Sequence, residues 1–102
     1  MLNAIINGGF NAKAEKVSVP NGLKSTGWDV RLQLLVSNSR GEPVYWWWVD
    51  YSGNPVLYGI IPPGGGIRQL TFGTHPWLVT VSNGQVISSV TPYKSNMQLT
   101  IE

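Results

Sequence analysis

The chain has 102 residues and no cysteine, and only 12% of its residues are charged, seven basic against five acidic for a formal charge of +2. That length suffices for one domain with its own core, and the missing thiols exclude a disulfide scaffold and a thiolate metal site. The Lys and Arg residues are scattered, which argues against a nucleic-acid footprint, and no apolar stretch approaches the ~20 residues of a membrane span.

Near the N-terminus, Ile5 and Ile6 lack a basic region and a cleavage pattern. No signal peptide is visible, and the sequence leaves the compartment open, with the cytoplasm slightly favoured. Residues 1–27 read as an N-terminal arm, or as an extra edge strand at Lys16 to Val19, ahead of a sandwich domain over 28–102. Val30, Leu32, Leu34 and Val36 alternate with Arg31, Gln33 and Ser37, the pattern of a half-buried strand. Ser39 to Pro43 is a turn, and an aromatic strand follows from Val44 to Tyr51. Ser52-Gly53-Asn54-Pro55 turns the chain into a strand from Val56 to Ile61. Pro62-Pro63-Gly64-Gly65-Gly66 cannot hold a ladder and is a loop. Strands are then expected at Ile67–Phe72 and Trp77–Val81, a hairpin at Asn83-Gly84, and strands at Gln85–Val90 and Met97–Ile101. About seven short strands at regular spacing predict an all-β protein, a small antiparallel β-sandwich.

Five tryptophans are many for this size, and three are consecutive in Tyr45-Trp46-Trp47-Trp48. Strand alternation puts Trp46 and Trp48 on one face, Tyr45 and Trp47 on the other. If each sheet of a thin sandwich has one dry face, at least one of these rings sits at the surface or lines a groove. An exposed ring of that kind is a binding signal, although core packing is the plainer role for any single tryptophan. The Pro62–Gly66 loop lacks the Lys and following helix of a phosphate site. One histidine and five carboxylates, with nothing placing Asp29 beside Asp50, supply no nucleophile, base and orienting group. No enzymatic activity, metal or cofactor is expected.

Trp48-Val49-Asp50-Tyr51-Ser52-Gly53-Asn54-Pro55, then Tyr58, Pro62-Pro63-Gly64-Gly65-Gly66 and His75-Pro76-Trp77-Leu78 resemble the β domain of the von Hippel-Lindau tumour suppressor family. The spacings match without gaps from about Asn38 to Leu78, and Asn96 to Ile101 is similar to the family's last strand. The resemblance implies a seven-stranded sandwich that binds 4-hydroxyproline in an extended peptide. It also implies roles for five residues. Trp48 would be the floor under the pyrrolidine ring, and Tyr58 would bond the peptide backbone. Thr71, where the family has serine, and His75 would grip the 4-hydroxyl, and Trp77 would close the wall. Phe72 replaces a tyrosine, while Ile67 and Leu70 replace a basic residue and a histidine, so recognition of flanking residues should differ. The chain ends after the strand that matches the family's last, so adaptor helices and an elongin-type ligase partner are not expected.

The residue types suit that ligand. Hydroxyproline differs from proline by one oxygen, so selectivity needs polar groups aimed at one point in an aromatic box. A threonine hydroxyl and a neutral imidazole can each donate or accept. Unmodified proline would leave both unpaired, at about 1–3 kcal/mol each. Two other readings stand beside a module for prolyl-hydroxylated peptides or proteins: a carbohydrate-binding sandwich with exposed Trp and Tyr, and an oligomerising sandwich whose aromatics fill an interface.

Overall fold

Every second side chain of the first strand faces inward, and this alternation divides the molecule into layers. The computed structural model describes residues 16–102. They carry β1 (Arg31–Asn38), β2 (Val44–Val49), β3 (Pro55–Ile61), β4 (Gly66–Phe72), β5 (Trp77–Thr80), β6 (Val86–Val90) and β7 (Met97–Ile101). In β1, Leu32, Leu34, Val36 and Asn38 are buried while Arg31, Leu35 and Ser37 are exposed, the two-residue period of a strand with one wet face. The sheets β4-β1-β7 and β3-β2-β5-β6 pack as the expected all-β sandwich around Leu34, Val36, Trp46, Ile61, Trp77 and Val79.

The β1–β4, β2–β3, β2–β5 and β5–β6 pairs are antiparallel, whereas β1 and β7 run parallel, with Leu34 facing Met97 and Asn38 facing Ile101. The connection over residues 91–96 changes sheets, so it is free of the reversal a tight hairpin enforces. Asn96 Oδ1 accepts from the Gln33 N–H at 2.8 Å and pins the entry to β7 against β1.

Both faces of β2 are dry, which corrects the expectation of one dry face per sheet. Trp46 is fully buried in the inter-sheet core, and Trp47 is fully buried on the opposite face. There it clusters with Val17, Val49 and Leu78, against which Val19 and Leu23 also pack. The arm covers that face. It is tied down where the Ser25 N–H donates to the Asp50 carbonyl at 3.1 Å and the Ser25 hydroxyl donates to the Val49 carbonyl. Residues 17–27 form no strand, so for Val17 to Val19 packing across a face takes the place of an extra edge strand. Residues 1–15, the rest of the arm, lie outside the described residues.

The β2 strand stops at Val49, two residues earlier than its aromatic run suggests. Asp50 Oδ1 accepts from the N–H groups of Ser52 at 2.9 Å and Asn54 at 2.8 Å, and Gly53 takes φ 83°. This Asx-type turn uses the backbone groups that a longer strand would need.

The turn after β4 is held just as closely. The Gly73 N–H donates to Val30 at 2.8 Å and the Thr74 N–H to Pro92 at 2.7 Å. A Cβ at Gly73 would overlap the Tyr93 carbonyl oxygen. Gly73→Ala should therefore lower stability by about 1–3 kcal/mol, the usual cost of forcing an atom into a closed space. Urea unfolding checks this; an unchanged midpoint would mean that the 92–93 segment yields freely.

Candidate ligand-binding pocket

The inner face of the larger sheet continues past the core at one end, where alternation from Trp46 carries Trp48 to the sandwich mouth. Trp48 is half-buried, unlike its two neighbours, and is paired across the strands with Trp77. Trp77 is held by stacking on Trp46, with centroids 4.9 Å apart and planes 9° from parallel. Such contacts between large buried rings fix their orientation.

Tyr58 arrives by a different device. The β2–β3 ladder pairs Trp46 with Gly59 but Trp47 with Leu57, so Tyr58 is the extra residue of a β-bulge. Unbroken pairing from Trp46 would set Tyr58 opposite Trp47, on the outer face. A bulge redirects a side chain, and here Tyr58 meets Trp77 at 5.0 Å and Trp48 at 6.0 Å, both edge-on. Its ring is half exposed.

Trp48, Tyr58, Thr71, His75 and Trp77 all line one cavity of about 210 Å³, together with Tyr51, Leu70 and Phe72. The structure thus brings together all five residues singled out from sequence. No carboxylate, ammonium or guanidinium of the described residues lines it. Among the described residues, no three His, Cys, Asp or Glu side chains converge to hold a metal ion.

The polar atoms are unequally committed. Trp77 Nε1–H donates to Thr71 Oγ1 at 3.0 Å. That hydroxyl oxygen accepts, and its own hydrogen remains to be donated. Trp48 Nε1–H donates to His75 Nδ1 at 3.2 Å. An indole N–H can only donate, so the neutral imidazole carries its hydrogen on Nε2. Nε2 faces the Gly27 carbonyl at 2.7 Å. The Tyr51 hydroxyl lies 3.2 Å from Nε2 and donates to the same carbonyl at 3.3 Å. Both imidazole nitrogens are therefore engaged within the protein. Nitrogen-resolved NMR of the His75 ring should report the Nε2–H tautomer in the free protein, and Trp48→Phe should weaken that preference by removing the donor at Nδ1. A ring protonated at Nδ1 instead would contradict this hydrogen-bond order.

Tyr51 was not singled out from sequence. Its strand-like neighbours suggested a ladder position, whereas it sits in the turn after β2 with its ring edge-on to Trp48 at 5.7 Å and His75 at 5.4 Å. The sequence signal that could have found it is Asp50, a residue type that forms turns through its own side chain. Leu70 is two-thirds exposed at the rim and Phe72 lies 5.4 Å from His75, so these replacements border the cavity. Ile67 does not, since it packs against the inter-sheet core.

A seven-stranded sandwich with a neutral aromatic cavity at one end of its inner face defines a small β-sandwich domain equipped to bind, with no catalytic grouping among the cavity residues. The family model of the VHL beta domain matches residues 23–88, and the chain belongs to that family. The family is one of non-catalytic binding domains, and in VHL the domain binds hydroxyproline peptides. No curated protein matches the chain.

Proposed function

We propose that this domain is a non-catalytic module that recognises trans-4-hydroxyproline in an extended peptide or protein. The supporting observation is an uncharged cavity, walled by Trp48, Tyr58 and Trp77, whose buried Thr71 hydroxyl keeps a hydrogen to donate. In this reading Trp48 lies under the pyrrolidine ring and Trp77 forms the wall. Tyr58, whose hydroxyl has no partner among the described residues, bonds the peptide backbone. Thr71 reads the ligand hydroxyl first. His75 joins by exchanging one of its present partners, Trp48 or Gly27, for the ligand oxygen. The free end of β4, an edge strand beside the cavity, suits a ligand in strand-like conformation. Residues 28–102 are the binding sandwich and residues 1–27 its N-terminal arm, of which Val17, Val19 and Leu23 pack on the outer face of β2.

Sugar stacking is a poorer fit to this cavity, because Trp77 is buried and Trp48 half-buried and neither offers a wide flat face to solvent.

The test is isothermal titration of peptides drawn from a library, each in a hydroxylated and an unhydroxylated form. The hydroxylated member of a binding pair should be tighter by about 2–4 kcal/mol, two hydrogen bonds in a dry site, and by less where water substitutes for the ligand oxygen. Equal affinities across all pairs would reject the proposal.

A further inference from the structure

Four of the five tryptophans have their indole N–H bonded to a side chain, Trp46 to Gln69, Trp47 to Thr80, Trp48 to His75 and Trp77 to Thr71. The fifth, Trp28, has no hydrogen-bond or ring partner among the described residues and is 67% exposed. It does not stand alone. Tyr93 is 66% exposed, and the two line a second cavity of about 200 Å³ with Thr26, Asp29, Thr74 and Lys94. Neither Asp29 nor Lys94 has an ion-pair partner among the described residues, where the Arg40–Glu42 bridge is found. Lys94 Nζ sits 5.1 Å from the Tyr93 ring centroid.

The backbone beneath this cavity is strained. Thr74 has φ 69°, an unusual conformation for a β-branched residue. Its hydroxyl is bound to the Thr26 carbonyl, and its N–H to Pro92. Such strain persists only where the surroundings impose it, and it gathers at ligand clamps. Here it joins the three segments that carry Trp28, Thr74 and Tyr93.

We infer that this second cavity is a carbohydrate site for one neutral pyranose ring. Exposed Trp and Tyr rings can take the C–H face of a sugar, and the indole N–H, with no partner among the described residues, supplies a donor. Asp29 accepts from neighbouring sugar hydroxyls, and Lys94 donates. Among the described residues the lining carries one negative and one positive charge, Asp29 and Lys94, which does not select phosphate or another anion. Its volume lies below the ~300 Å³ at which drug-sized pockets begin, so it suits a single ring. The site does not depend on the hydroxyproline reading. The strained turn separates the two cavities: Gly73 and Thr74 line this one, Phe72 and His75 the other.

The test is an NMR titration of the protein with a panel of neutral monosaccharides, each taken to about 50 mM, which nearly saturates a site with a Kd of ~1 mM. At least one sugar should give saturable shifts centred on the Trp28 indole N–H and the Tyr93 ring. Trp28→Ala and Tyr93→Ala, both exposed and so tolerated by the fold, should each weaken that binding at least tenfold. Thr71→Val should leave it unchanged, and neither aromatic variant should alter peptide affinity. No saturable shift with any sugar would overturn the inference. Shifts centred on Trp48 and Trp77, or perturbation of Trp28 by a hydroxyproline peptide instead, would overturn it as well.

Discussion

Asn38→Ala should be among the most damaging single substitutions, lowering stability by about 3–5 kcal/mol through loss of several partners at a buried position. Asn38 is only 1% exposed. Its Nδ2 donates to the carbonyls of Glu42 at 2.9 Å and Ile61 at 3.0 Å, and lies 3.3 Å from that of Pro62. Its Oδ1 accepts from the Arg40 N–H at 2.9 Å. The backbone adds an N–H bond to Gly65 and accepts one from Gly64, both at 2.8 Å. One side chain thus holds the turn after β1 against the end of β3 and the proline-glycine loop. Alanine would leave those carbonyls and the Arg40 N–H with no partner and too little room for water to replace all of them. Asn38→Asp should fare no better, because it keeps the acceptor and loses both donors. At ~4–8 °C per kcal/mol for a domain of this size, the melting temperature should fall by more than about 12 °C. A fall of under about 2 °C would show that the loop closes without this residue.

Thr71→Val should abolish most of the preference for hydroxylated peptide while barely changing the shape of the cavity. The two side chains match in volume, but only threonine has a hydroxyl. With the wild-type preference at about 2–4 kcal/mol, or roughly 30- to 1000-fold, the variant keeps only the His75 bond and should fall to roughly 5- to 30-fold. Stability should also drop by about 1–3 kcal/mol, because the buried Trp77 N–H loses its acceptor at 3.0 Å. Thr71→Ser restores the hydroxyl without the methyl and should keep both properties. The three proteins are compared by titration with matched peptides and by urea unfolding. Full selectivity in Thr71→Val would move the reading of the hydroxyl to His75. Equal affinities in the wild type would end the hydroxyproline reading altogether.

His75 shows why a residue's type and position do not give its availability. It lies in the cavity as expected, yet Trp48, Gly27 and Tyr51 surround its two nitrogens. The nearest sequence neighbour among these three is Tyr51, 24 residues away. Gly27 belongs to the arm, so the segment that covers the sheet also supplies a carbonyl to the edge of the pocket.

Much of the architecture follows from local pattern. The two-residue alternation of β1, the loop at Pro62–Gly65 and the turn at Ser52–Asn54 depend on steric and hydrogen-bonding rules that act within a few residues, although Gly66 and Pro55, expected in that loop and turn, already open β4 and β3. They were legible for that reason, whereas the grouping of Trp48, Tyr58, Thr71, His75 and Trp77 was legible only through the resemblance to the VHL β domain. Other features depend on what lies across a ladder or beyond a sheet. The bulge that turns Tyr58 inward exists only relative to β2, and the parallel run of β7 only relative to β1. Trp47 lies in a cluster to which Val17, Val19 and Leu23 of the arm contribute. Sequence determined which residues could build strands, turns and an aromatic site. Tertiary structure decided which ring faces solvent, which hydroxyl keeps a free hydrogen and which imidazole nitrogen is already bonded, because burial and hydrogen-bond competition are settled between segments distant in the chain.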